Sequence, residues 1–150
     1  MKQIPLFMLL VCLSGCSSLG IYVLQDSLTA AQHNDLGVAY EKQDRLDLAE
    51  KEYKRAIKKE KDWHVPYLNL GNVYYKLSNM DKAVQYFRSG LKVDPGNPDI
   101  MNNLAFALME NGNTVEAKQW IEKAIAIEAK PEYLDTRDRI LKKMQDMQFH

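Results

Sequence analysis

The chain has 150 residues with 20 basic and 20 acidic side chains, so its formal net charge is zero. That balance gives no argument for a nucleic-acid binder, which wants a basic face, and the length suits one modest domain. Both cysteines, Cys12 and Cys16, fall within the first sixteen positions, so the rest of the chain must fold without a disulfide or a reactive thiol.

The N-terminus reads Met1-Lys2-Gln3, then ten mostly apolar residues from Ile4 to Leu13, then Ser14-Gly15-Cys16. A positive start, a short apolar run and small residues before a cleavage point form a secretory signal. The run is half of the about 20 residues that a membrane span needs. An uncleaved anchor over Ile4–Leu24 is the weaker alternative, because Ser14, Gly15, Ser17, Ser18 and Gly20 interrupt it. The Leu13-Ser14-Gly15-Cys16 sequence resembles the lipobox of bacterial lipoproteins. The resemblance implies that residues 1–15 are removed and that Cys16 is acylated as the new first residue. Ser17 at the next position implies, by the same family's sorting rule, the outer membrane, facing the periplasm. Residues 16–29 then form a lipidated tether, with Ile21-Tyr22-Val23-Leu24 expected to pack onto the first helix, the weaker alternative being that it lies at the membrane surface.

Helical structure is expected from Thr29-Ala30-Ala31-Gln32, a capping box in which hydroxyl and amide side chains satisfy backbone groups reciprocally. A repeat of 34 residues follows. Leu36-Gly37 and Tyr40 return as Leu70-Gly71 and Tyr74, then as Leu104-Ala105 and Leu108. Ala49, Ala83 and Ala117 share a position, as do Tyr53, Phe87 and Ile121, and as do Ala56, Gly90 and Ala124. Within each half-unit the apolar residues recur at three- and four-residue intervals, which is the amphipathic helix pattern. Turn signals separate the halves at Gln43-Asp44-Arg45, Ser78-Asn79-Met80 and Asn111-Gly112-Asn113. Asn97 is a natural N-cap with Pro98 at the first helical position. The small residues are expected to let paired helices approach. The large rings, Tyr40, Tyr74, Tyr53 and Phe87, are expected to fill the space between units.

This pattern resembles the tetratricopeptide repeat (TPR). It implies an all-α solenoid of three helix-turn-helix units at 30–63, 64–97 and 98–131, with residues 131–147 as a C-terminal capping helix. There are departures. His33, Tyr67 and Met101 stand at a usually aromatic position, and the unit-ending proline is present only as Pro95.

No phosphate loop, nucleophile elbow or paired-histidine metal motif is present, so no enzyme activity, cofactor or metal is expected. His33 is expected to be a core or interface histidine. Mixed Lys and Glu residues on the second helices are expected to be solvated faces. The TPR resemblance implies a concave groove lined by the first helix of each unit. The residues placed there are Asn34, Val38, Leu68, Asn69, Asn72, Tyr75, Asn102, Asn103, Phe106 and Met109. Glu41, Lys76, Asp99, Arg139 and Lys142 join them, and the amides are suited to holding a peptide backbone. Some TPR domains clamp a chaperone's terminal carboxylate. At the corresponding positions this chain has Asn34, Val38, Asn69, Asp99 and Asn103, of which only Asn69 agrees. The expected function is a membrane-tethered protein-interaction module, monomeric, assisting assembly of an envelope complex. The alternative is a self-associating structural subunit using Tyr22, Val23 and Trp63.

Overall fold

Thr29 caps the first helix as its sequence requires: its hydroxyl accepts the Gln32 amide at 3.2 Å, and its own N–H donates to the Gln32 side chain at 2.8 Å. The computed structural model describes residues 26–148, so Cys16 and the 21–24 stretch lie outside the described residues. Seven α-helices follow: α1 Ala30–Lys42, α2 Leu46–Lys59, α3 Val65–Lys76, α4 Met80–Val93, α5 Pro98–Glu110, α6 Thr114–Ile127 and α7 Pro131–Asp146. The described residues contain no strand. Asn79, Asn97 and Asn113 cap α4, α5 and α6 through their side-chain oxygens.

The turns inside the units repeat with the same period as the sequence. Asp44 (φ 58°), Ser78 (φ 57°) and Gly112 (φ 82°) all take the left-handed conformation. After each, the next amide reaches back five residues: Arg45 to Tyr40, Asn79 to Tyr74 and Asn113 to Leu108, all at 2.9 Å. This is the Schellman closure, and it turns the chain into an antiparallel second helix.

Consecutive helices pack along the whole chain. In addition α1 touches α3, α3 touches α5 and α5 touches α7, whereas the backbones of α2 and α4, and of α4 and α6, stay apart, α4 and α6 meeting through the Arg88–Glu116 ion pair at 2.7 Å. The stack therefore curves, with α1, α3, α5 and α7 on the inside and α2, α4 and α6 splayed outside. That is the all-α solenoid expected from the repeat.

The recurring small positions are fully buried: Ala49, Ala83, Ala117, Ala56 and Ala124 have no exposed surface. The glycines have a sharper reason. A Cβ on Gly37 would lie 2.5 Å from the Tyr53 ring, and one on Gly71 would meet the Phe87 ring as closely. This corrects one expectation. Tyr53 and Phe87 lie within their own units, each in the gap its glycine leaves, rather than between units. The third unit pairs Ala105 with Ile121 at the same positions, both fully buried. Tyr74 does reach across, donating from its hydroxyl to Glu50 of the preceding unit at 2.9 Å. On α7, Tyr133 and Ile140 are buried against the third unit.

Candidate concave binding face

The inner face is built from the groove-side residues of α1, α3, α5 and α7. Two amide pairs cross it. Asn69 donates to the Asn34 side-chain oxygen at 2.9 Å, tying α3 to α1, and Asn103 donates to Asn72 at 3.0 Å, tying α5 to α3. Asn102 donates to Asn103 at 3.2 Å, while its own oxygen is buried without a partner among the described residues. The asparagines thus spend part of their capacity on one another and form the floor of the face. Asn34 is buried and presents little to solvent.

Above this floor two open hollows succeed each other. One of about 270 Å³ is lined by Val38, Glu41, Lys42, Asn69, Asn72 and Lys76, with Tyr53 beneath. The next, about 230 Å³, lies among Asn72, Tyr75, Phe87, Asn102, Asn103 and Phe106. Tyr75 and Phe106 meet edge to face with centroids 5.4 Å apart, and the Arg139 guanidinium sits 4.4 Å over the Phe106 ring. These contacts hold both rings half-exposed in one orientation. Leu68 and Val38 are half-buried against the core.

Met109 differs from its expected place. It is 2 % exposed and belongs to the core, so it offers no anchor in the groove. The physical reason is α7, which packs on α5 and covers that end.

Charge is organised across the same face. Lys76 pairs with Glu41 at 2.7 Å, again joining α3 to α1, and the buried Tyr53 hydroxyl donates to Glu41 at 2.8 Å. Burial and that carboxylate push the Tyr53 phenol far above its ordinary range. Burial, then Glu110, raises the Tyr75 phenol, which stays neutral and able to donate or accept. Asp99 accepts from Tyr133 and from Lys130 (3.1 Å), which joins α5 to the start of α7. The Tyr133 hydroxyl, with Lys130, holds the Asp99 carboxyl below the usual carboxylate range, so it is charged at neutral pH.

His33 is the core histidine expected, with no exposed surface. Its Nδ1 lies 2.6 Å from Glu52 and its Nε2 2.7 Å from Asp26. Both ring nitrogens face carboxylates. Arg55 binds the other Glu52 oxygen at 2.6 Å, and Lys59 binds the Asp26 carbonyl at 2.7 Å. The segment before α1 is therefore fastened to the domain from Asp26 onward.

Sequence reasoning missed these ties. The signal for some was present: Asn34 and Asn69, and Glu41 and Lys76, stand 35 residues apart, close to one repeat. Nothing in the pattern pointed to Asp26 or Glu52 as partners of His33.

Two tetratricopeptide repeat models match the chain, at residues 33–59 and 74–140, together more than half of it. The chain belongs to the tetratricopeptide repeat family. A stretch of 79 residues is 33 % identical to human tetratricopeptide repeat protein 6; it is 53 % of this TPR chain and only 15 % of that protein. Among solved structures, the TPR fold is similar to the first TPR domain of Spaghetti (RPAP3) bound to the HSP90 peptide SRMEEVD. The TM-score is 0.76 at 19 % identity, covering 80 % of this chain and 96 % of that one. The second TPR domain of human RPAP3, in complex with the HSP70 peptide SGPTIEEVD, has a TM-score of 0.71 at 20 % identity, covering 74 % and 93 %. The Sgt2 TPR domain of Aspergillus fumigatus has a TM-score of 0.76 at 17 % identity, covering 81 % and 82 %.

Proposed function

We propose that this TPR chain is a lipid-anchored protein-interaction module that holds an extended segment of a partner protein in its concave face. The observation that carries the reading is the run of half-exposed rings and amides, Asn72, Tyr75, Asn103 and Phe106, with the half-buried Leu68 on the same helix as Asn72 and Tyr75, on the side where the first helices converge. Rings held in place by Arg139 and by each other lose little entropy on binding, which suits them as anchor contacts. Two TPR domains of the same fold were solved with peptides bound, which supports the groove reading. A chaperone tail fits this chain poorly, because Val38 and the charged Asp99 stand where carboxylate-binding residues are wanted.

In this reading residues 1–15 are a signal, Cys16 carries the lipid, and Ser17 directs the protein to the outer membrane on its periplasmic side. There it assists assembly of an envelope complex of the pilus, secretion, exopolysaccharide or cell-wall kind. No helix among the described residues is long and apolar enough to cross a membrane.

Two measurements test the proposal. Partner capture by crosslinking in native membranes is compared for the wild type and for Tyr75→Ala with Phe106→Ala. Loss of the partner band with unchanged circular dichroism is expected, and equal capture removes the groove from the mechanism. Cys16→Ala is expected to move the protein to the soluble fraction; a protein that stays membrane-bound refutes lipid anchoring.

A further inference from the structure

We infer that the outer face of α2 is a docking surface for anionic phospholipid. The inference rests on the anchored reading above and adds an orientation to it. Lys51, Lys54, Arg55, Lys58 and Lys59 are all exposed on this helix. Their spacing of three and four residues gathers them on one side. Of the acids of the helix, Glu52 is turned inward to His33 and Arg55 and Glu50 is held by Lys54, while Asp47 stands exposed in the first turn, one turn before Lys51. Glu60 and Asp62 follow beyond its end. The other outer helices carry less: α4 exposes Lys82, Arg88 and Lys92, with Arg88 paired to Glu116, and α6 exposes Lys118 and Lys123.

The place of this face decides the partner. Asp26, where the described chain begins, lies on it, with its carbonyl bound by Lys59. Arg55, Lys58 and Lys59 surround an open hollow of about 340 Å³ there. The one acid lining that hollow, Asp26, has its carboxylate drawn off to His33. Nine residues separate Cys16 from Asp26, ten steps of chain with a reach of at most about 36 Å. A lipid on Cys16 therefore holds Asp26 and the adjoining basic side of α2 within that reach of the bilayer surface. Each Lys or Arg held near an anionic surface strengthens attachment roughly five-fold, and only within about a Debye length, some 8–10 Å. The consequence concerns the groove. Because α2 lies outside the curve, resting on it turns the concave face away from the lipid and open to a partner.

The test reconstitutes the full chain into vesicles of phosphatidylcholine alone and into vesicles that also contain phosphatidylglycerol. Lysine acetylation is then read residue by residue by mass spectrometry. Lys51, Lys58 and Lys59 are expected to be protected several-fold in the anionic vesicles, with Lys118 and Lys123 unchanged. High salt is expected to abolish the difference. In the Lys58→Glu, Lys59→Glu variant, whose exposed positions leave the fold intact by circular dichroism, Lys51 is expected to lose its protection. Equal α2 reactivity in both vesicle types, with the protein still vesicle-bound, overturns the docking surface alone. Protein recovered free of both vesicle types overturns the anchored reading and the orientation with it.

Discussion

Gly71→Ala is the substitution that most directly interrogates how the units are packed. The new methyl group would meet the Phe87 ring at a distance no real Cβ tolerates, and that ring is 1 % exposed, with the core around it. Overpacking of this kind costs about 1–3 kcal/mol. Alanine recovers about 1 kcal/mol over glycine inside a helix. A ring this enclosed cannot step aside cheaply, so the upper part of the range applies and the net loss is about 1–2 kcal/mol. Urea unfolding followed by circular dichroism measures it. The third unit supplies the compensating change, since it carries Ala105 and Ile121 at the two positions. Phe87→Ile alone loses packing, but in that background Gly71→Ala is expected to be neutral or stabilising. The double-mutant cycle is expected to give a coupling of about 1–3 kcal/mol. A single variant as stable as the wild type, or a cycle with no coupling, refutes the claim that ring and glycine are matched.

His33→Ala is expected to cost about 3 kcal/mol, since it leaves Glu52 buried with only Arg55 as partner, while Asp26→Asn, at an exposed carboxylate, is expected to change stability much less. Thermal melts of the two variants check the contrast, and equal shifts would count against it. Gly112→Ala is expected to lose about 1 kcal/mol through backbone strain alone, because its φ of 82° is left-handed while nothing lies within 4 Å of the added methyl group. An unchanged urea midpoint would remove the strain argument.

The repeat was legible because helix pairing and stacking act on every unit alike. A constraint that recurs leaves the same residue type at the same interval. Ala49, Ala83 and Ala117 announce a buried close approach three times over, and the structure buries all three completely. The turns were legible for the same reason, although only Gly112 among the three left-handed residues is the type that favours it. The groove was less so. Asn34 and Met109 sit at groove positions of their helices, yet one is closed over by its amide partner and the other by α7. Position on a helix face gives direction; whether a neighbour covers the side chain depends on packing that occurs once. The His33, Glu52 and Asp26 cluster is the extreme case, made at the chain's first unit alone and so invisible to a period.

The separation of the α2 and α4 backbones, and of the α4 and α6 backbones, has a bearing on how the molecule comes apart. Every tertiary contact between helices spans at most two helices along the chain. Cooperativity must therefore pass from neighbour to neighbour, as in a one-dimensional chain of coupled units. The C-terminal end is joined to the remainder only through α5 and α6, whereas the N-terminal end gains the Asp26 and Lys59 ties. Amide exchange should then grade along the sequence, fastest in α7 and slowest in the central pair. A partner that bridges Phe106 and Arg139 would join α5 to α7 and raise protection at that end selectively.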